Sequence, residues 1–371
     1  MADILDYKCP YCGGKMEFDT ALQKMKCPYC DSTVEMSEMQ SKDAGLDAPA
    51  PSAAGFGEAG PTEDNIQWDV NSGASWTNED GMAVFTCKSC GGEIISDENT
   101  VATACPFCGN PVVLSGRVSG GLKPEFVIPF KLDKKAAKDK LRAYVKGKKF
   151  APKEFESENK LDEIKGVYVP YWLFDSDVEA SVTFGATKTR LWSDRDYNYT
   201  ETSYFDVFRA GTMRFENIPV DGSKKMPDDL MESIEPFDFK EAVSFQTAYL
   251  SGFLADKYDV SREESYPRAN ERLKTSAGAA LRDTVHGYDT VEQRSTFINT
   301  LGGLSKYALY PVWLLNTTYK GEKYTFAMNG QTGKFIGNLP ISKGKLGALF
   351  GGLSVGIAAV VFVLGVVSGL F

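Results

Sequence analysis

Eight cysteines fall into four Cys-x-x-Cys pairs, and the pairs form two sets of identical C-x2-C-x14-C-x2-C spacing. The first set is Cys9, Cys12, Cys27 and Cys30; the second is Cys87, Cys90, Cys105 and Cys108. Each Cys-x-x-Cys puts two sulfurs on one tight turn, and two such turns joined by a short hairpin can meet around one ion. Thiolate sulfur in a four-membered set suits zinc. A redox pair or an iron–sulfur centre is the other use of the motif, but two copies of one spacing favour zinc. Four cysteines complete a tetrahedral shell and leave no position for water, so two structural Zn2+ ions are expected, not catalytic ones. Gly13-Gly14 and Gly91-Gly92 suit the tight turn after the second ligand, and Pro28 and Pro106 the start of the other knuckle. Modules this small have little core, so the metal supplies their folding free energy.

The second constraint lies at the C-terminal end. Leu346–Phe371 has 26 residues and no charged side chain. As a helix it reaches about 39 Å, enough for a hydrocarbon core of about 30 Å. The expectation is a transmembrane tail anchor. The start of the chain lacks the basic and apolar regions of a signal peptide. Lys334, Lys343 and Lys345 precede the span and predict a cytoplasmic side for the bulk of the chain. Metal-ready thiols also fit a reducing compartment. Gly347/Gly351, Gly352/Gly356 and Gly365/Gly369 form GxxxG pairs, a smooth strip suited to homo-oligomerisation or to a partner helix.

Between these ends the chain divides into residues 1–36 (first zinc ribbon), 37–80 (linker), 81–116 (second zinc ribbon) and 117–340 (body), followed by 346–371 (anchor). The linker carries nine acidic residues against one lysine, nearly all of the chain's net charge of −9, and predicts a flexible solvated tether. Trp68 and Trp76 are its exceptions, as docking residues or a recognition segment.

The body reads as β-rich α+β. Glu125–Leu132 is a predicted strand and Lys134–Lys146 a helix with Ala137, Leu141 and Tyr144 on one face. Gly166–Phe174 with Val178–Thr187, and Tyr197–Phe208 with Gly211–Ile218, read as strand pairs. Asp228–Ile234 and Ala242–Tyr249 are short segments. Ser261–Val285 is a long helix opened by a Ser261/Glu264 capping box. Tyr307–Leu315, Glu322–Met328 and Thr332–Gly337 follow, the last two joined at Asn329-Gly330, a hairpin signal. The phrase Pro-x-Trp-Leu occurs at Pro170–Leu173 and again at Pro311–Leu314, each time after a helix and with a tyrosine, Tyr168 or Tyr310, shortly before the proline. This predicts pseudo-repeats over about 120–190 and 250–340, with Trp172 and Trp313 as packing residues.

Little else points to chemistry. One histidine, His286, excludes His-based triads and His-rich metal sites, and reads as a turn residue. Neither the 192–199 segment nor the acidic run Asp228, Asp229, Glu232, Glu235 and Asp238 has the spacing of a calcium loop or phosphate cradle. No catalytic residue and no enzyme activity is expected. Lys131–Lys153 holds ten basic residues against two acidic ones; it suits a solvated face, an anionic membrane surface or a phosphate backbone. Neither cysteine region has an excess of basic side chains, so nucleic acid is not the expected partner.

Five phrases carry a resemblance: Thr86–Ile95, Lys165–Asp175, Tyr197–Tyr204, Glu232–Phe239 and Tyr324–Gly333. The chain resembles bacterial membrane proteins with transcription-factor-IIB-type zinc ribbons, often mislabelled as the primosomal helicase. Such proteins are similar to partners of flotillin-like (SPFH-domain) proteins in phage-shock-type operons. The resemblance implies a non-enzymatic adaptor or scaffold at the bacterial cytoplasmic membrane in an envelope-stress response, with a flotillin-like partner. The alternative is a membrane-tethered zinc-ribbon protein that binds nucleic acid.

Overall fold

A computed structural model describes residues 9–12, 14–36, 64, 66–69, 74–76, 82–87, 89–97, 105–108, 112–117, 121–157 and 161–367. Three short strands, β1 (Glu17–Asp19), β2 (Lys24–Lys26) and β3 (Thr33–Val34), form an antiparallel sheet of their own. Phe18, Met25 and Val34 point inward from it. Asp19 closes the β1–β2 turn by accepting from the Ala21 and Leu22 N–H groups, both at 2.9 Å. The second cysteine region contributes β4 (Met82–Cys87), β5 (Glu93–Asp97) and β6 (Val112–Arg117), paired antiparallel.

The body follows with β7 (Phe126–Val127), α1 (Lys134–Lys146), β8 (Lys165–Ser193), β9 (Asn198–Asp221), α2 (Asp228–Ser233), β10 (Val243–Ser244), β11 (Leu254–Asp256), α3 (Arg262–Arg282), β12 (Thr290–Tyr319), β13 (Glu322–Asn329), β14 (Phe335–Gly337) and α4 (Lys343–Val367). The fold is mixed α+β with a sheet-rich body. Among the described residues one eleven-stranded sheet runs β10-β7-β12-β8-β11-β5-β4-β6, with β13 and β14 beyond β12 and β9 on β8. Because β5 pairs with β11, the sheet of the second cysteine region is continuous with that of the body.

The expected helices form where the pattern placed them. Asp133 caps α1 by accepting from the Ala136 N–H at 2.7 Å, and Ala137, Leu141 and Val145 form its buried stripe. Tyr144 lies half-buried beside them, its hydroxyl donating to the Gly337 carbonyl at 2.6 Å. The capping box closes both ways: Glu264 N–H donates to Ser261 Oγ at 3.1 Å, and Ser261 N–H to Glu264 Oε2 at 2.7 Å. The helix ends at Arg282, three residues short of the expected Val285. Ala269, Leu273, Ala277 and Leu281, four apart, face the sheet.

The strands differ from expectation. Gly166–Phe174 and Val178–Thr187 are not a pair but one strand, β8; Tyr197–Phe208 and Gly211–Ile218 likewise merge into β9. The polar Asp175-Ser176-Asp177, which resembles a turn in sequence, is absorbed as a bulge. The register shifts between Phe174 and Ser176, and on β12 between Thr300 and Gly303. Ser176 Oγ donates to the Gly302 carbonyl at 2.9 Å, and Asp175 accepts from the Asn217 N–H at 2.6 Å. The first expected strand shrinks to Phe126–Val127, since Pro129 has no N–H to continue a ladder. Asp228–Ile234 forms the short helix α2, and Ala242–Tyr249 divides into β10 and a 3-10 turn. The Asn329-Gly330 hairpin joins β13 to β14, but its left-handed residue is Gly333 (φ 76°).

One arrangement occurs twice. β11 runs parallel to β8, and β7 parallel to β12. Trp172 Nε1 donates to the Val260 carbonyl at 3.0 Å, and Trp313 Nε1 to the Leu132 carbonyl at 3.0 Å; each acceptor immediately precedes a helix cap. The Gly222 carbonyl takes the N–H groups of Asp259 and Val260, and the Gly330 carbonyl those of Lys131 and Leu132.

Most of the expected tether, 37–80, lies outside the described residues, but its described parts are docked. Trp68 Nε1 donates to Asn270 Oδ1 at 2.9 Å, and its ring meets Phe174 edge-on and stacks on Tyr266. A side chain at Gly303 would collide with that indole. Asp64 pairs with Lys274 and accepts from the Ile298 N–H at 3.0 Å. Trp76 is buried against Phe245 and bonds its N–H to the Gly121 carbonyl. Both tryptophans therefore serve as docking residues.

Candidate metal centres

Two of the described knuckles are built by the same backbone turn. Cys87 N–H donates to the Gly92 carbonyl at 2.9 Å while Gly91 N–H returns to the Cys87 carbonyl at 2.8 Å. Cys27 does the same with Ser32 and Asp31, both at 2.9 Å. The returning residue is left-handed in both, Gly91 at φ 72° and Asp31 at φ 57°, a conformation open to glycine and tolerated by aspartate. The Cys9 N–H repeats the first contact with Gly14 at 2.7 Å. These turns aim both sulfurs of a pair toward the same point.

The eight cysteines meet in the two expected sets. Within each, all four Sγ atoms lie within 4.8 Å of one another. Cys9–Cys30 and Cys12–Cys27 are each separated by 3.5 Å, Cys87–Cys108 by 3.5 Å and Cys90–Cys105 by 3.7 Å. No disulfide joins them. A tetrahedron with metal–sulfur bonds of about 2.3 Å has sulfur edges of about 3.8 Å, so the donor set and its spacing fit a four-sulfur metal site.

Electrostatics point the same way. Ser32 Oγ lies 3.0 Å from Cys9 Sγ and 3.1 Å from Cys30 Sγ, and holds both thiols below their ordinary value, Cys9 at about 6. Against the Gly14 N–H, which lowers it, the neighbouring Cys30 and Cys27 thiols push Cys12 up to about 12. Burial raises Cys105 and Cys90. Four thiols this close cannot all ionise without a cation among them, whereas a divalent ion would deprotonate the set.

Both centres pack against the body, Cys9 and Cys27 in an apolar cluster with Phe130 and Trp313, but their sheets join it differently. The first is held through its small sheet: Gln23 Nε2 donates to the Phe130 carbonyl at 2.8 Å, and the Phe18 ring meets Tyr249 edge-on at 5.1 Å. The second is set into the body. Cys87 and Cys105 are buried in one apolar cluster with Val167 and Tyr310. Asn316 on β12 donates to the Pro106 carbonyl, and Lys225 lies over the Phe107 ring. Asn316 and Lys225 are not legible as part of this site, because nothing local links them to a cysteine some 210 or 120 residues away, whereas Phe107 lies between two of the ligands.

A protein of Bacillus subtilis (strain 168), the uncharacterized protein YdjG, is 34% identical to this chain over 355 residues, covering 95% of each. The chain belongs to the YdjG family. No family model and no solved structure matches it.

In this YdjG-family chain the other segments singled out by sequence have structural places. Residues 192–199 form the β8–β9 turn, where Asp194 accepts from the Asp196 and Tyr197 N–H groups and the Tyr199 hydroxyl. Glu232 and Glu235 of the acidic run pair with Arg268 and Arg272 of α3. His286 is an exposed residue beyond α3. In the basic segment, Lys131 pairs with Glu241, Lys138 with Asp162 and Arg142 with Asp139. The apolar C-terminal helix α4 is long and apolar enough to cross a membrane over Lys343–Val361.

Proposed function

We propose that this YdjG-family protein is a non-enzymatic, membrane-anchored adaptor that carries two structural zinc ions in transcription-factor-IIB-type ribbons and recruits a flotillin-like SPFH-domain partner at the bacterial cytoplasmic membrane. The observation that carries the adaptor reading is the β8–β9 arm. Tyr197, Tyr204 and Phe208 on it are 68%, 77% and 63% exposed, and Trp192 stacks on Tyr199 at its tip. A run of exposed aromatic side chains on a regular hairpin suits a protein interface better than solvent. Tyr11 and Tyr29, both 75% exposed, add a second aromatic surface on the first ribbon. The closed four-sulfur shells leave the metal no position for a substrate, which suits a structural role.

The root of α4 supports the anchor and its orientation. Ser342 N–H donates to the Phe150 carbonyl at 2.8 Å, and Lys345 Nζ to the Ala151 carbonyl at 2.6 Å. The basic segment Lys131–Lys153 thus meets one end of the apolar helix, where Lys148, Lys149 and Lys343 are exposed. Clustered lysines at one end of a span favour the cytoplasmic side and an anionic leaflet. The paired Trp172/Trp313 and Gly222/Gly330 contacts support a pseudo-duplicated body.

Three measurements test this reading. Elemental analysis of the purified protein is expected to give two zinc ions per chain; one zinc, or iron with visible absorbance, refutes the two-site assignment. Deletion of 346–371 is expected to move the protein from the membrane to the soluble fraction with its zinc retained. Capture from detergent extracts by the full chain is expected to recover an SPFH-domain protein with or without nuclease. Capture lost on nuclease treatment would favour nucleic acid instead.

A further inference from the structure

A cavity of about 220 Å3 lies between β8, β9, α2 and α3, and no cysteine lines it. Tyr171 on β8 and Asp221 on β9 are direct cross-strand partners, so their side chains leave the sheet on one face, and both line the cavity. Tyr171 Oη and Asp221 Oδ2 are buried and have no hydrogen-bond partner among the described residues. The other carboxyl oxygen, Asp221 Oδ1, accepts from the Ser223 N–H at 3.0 Å. Buried polar atoms are nearly always satisfied in folded proteins. Two orphans lining one cavity therefore mark a place prepared for something else.

The charges on the walls say what kind of group fits. Lys224 pairs with Glu264, Arg268 with Glu232 and Arg272 with Glu235. Each cation lining the cavity is thus matched by an acid, and Asp221 and Asp228 are the lining acids left over. Behind them, Asp256 is matched to Lys225 and to Ser223 Oγ, at 2.5 and 2.6 Å. Burial, reinforced by the charges of Asp256, Asp228 and Asp259 against the Ser223 N–H, pushes Asp221 well above the usual carboxylate range. An entering cation would reverse that effect and release a proton. Among the described residues the groupings suited to a metal are the two cysteine sets, so no third carboxylate converges here for a hard ion. Val220, Met231 and Val260 supply apolar wall, which suits methylene groups.

We propose that this cavity binds a small alkylammonium ion, its ammonium group held between the Asp221 carboxylate and the Tyr171 hydroxyl and its carbon chain along Met231 and Val260.

Calorimetric titration of the full-length protein in detergent micelles with putrescine, 1,4-butanediol and magnesium chloride tests this. Putrescine is expected to bind and to raise the thermal midpoint, butanediol and magnesium to do neither, and the heat to vary with buffer as a proton is released. Asp221→Asn is expected to weaken putrescine at least about 10-fold, and Tyr171→Phe about 3-fold, as loss of a charged and a neutral partner should. If Asp221→Asn does not fold, Tyr171→Phe and the wild-type preference for putrescine over butanediol decide. No binding of putrescine, equal binding of butanediol, undiminished affinity in a folded Asp221→Asn protein, or magnesium binding abolished by that substitution would each overturn the proposal.

Discussion

Replacing Cys87 and Cys90 by serine is expected to destabilise the body as well as abolish the second metal site. β5, which leads out of this knuckle, pairs with β11 at Ala255–Ile95 and Asp256–Ile94, and Cys87 shares an apolar cluster with Val167, Tyr310 and Leu314. Structural zinc in small peptides is worth about 10–16 kcal/mol, which matches or exceeds the whole stability of a typical domain, about 5–15 kcal/mol. The body should then unfold at lower temperature and with less cooperativity. The matching pair Cys9→Ser/Cys12→Ser should lose one metal ion and lower the main transition less, because β1, β2 and β3 form a separate sheet, although Cys9 and Cys27 share an apolar cluster with Phe130 and Trp313 of the body. Circular dichroism melts with metal counts on both double variants check this. Equal damage from the two would refute the asymmetry.

The second large effect is expected at Trp313. Its ring lies edge-on to Phe130 at 5.2 Å, its surface is 4% exposed, and its Nε1 donates to the Leu132 carbonyl. Trp313→Ala should cost about 3–5 kcal/mol for the cavity, and the stranded Leu132 carbonyl about 1–3 kcal/mol more. Trp313→Phe keeps most of the ring contacts and should cost mainly the hydrogen bond. Trp172→Ala should behave alike, because its indole makes the same kind of bond to Val260. Urea unfolding at constant m-value measures these losses. A shift equivalent to less than about 1 kcal/mol for Trp313→Ala would place it among ordinary surface changes and refute the role assigned to it.

The parts of the molecule legible in sequence are those decided within a few residues. The cysteine sets, the α1 stripe and the Ser261/Glu264 box depend on short spacings, and the structure places them as expected. Strand ends were less legible. Asp175-Ser176-Asp177 looks like a turn because its residues favour one, yet Gly302 and Asn217 from distant chain satisfy it as a bulge. The same holds for the second cysteine site, whose seat depends on Asn316 and Lys225. Docking of Trp68 was only half legible: an aromatic residue in an acidic, small-residue segment stands out, but Asn270 and Tyr266 as its partners do not. Tyr171 and Asp221 gave no signal, since one sits in an apolar run and the other at a strand end.

The central pairing of the sheet also sets a schedule for synthesis. Lys165 at the start of β8 pairs with Leu314 near the end of β12. At translation speeds of about 5–20 residues per second, the ribosome reaches Leu314 about 7–30 s after Lys165. The adjacent β9 can shield one side of β8 early, since it follows at once in the chain. The side that β12 will occupy must wait, carrying the apolar run Val167–Phe174. A nascent chain with such an unpaired edge is a natural client for chaperones, and slowing translation after β9 should lengthen its exposure to aggregation.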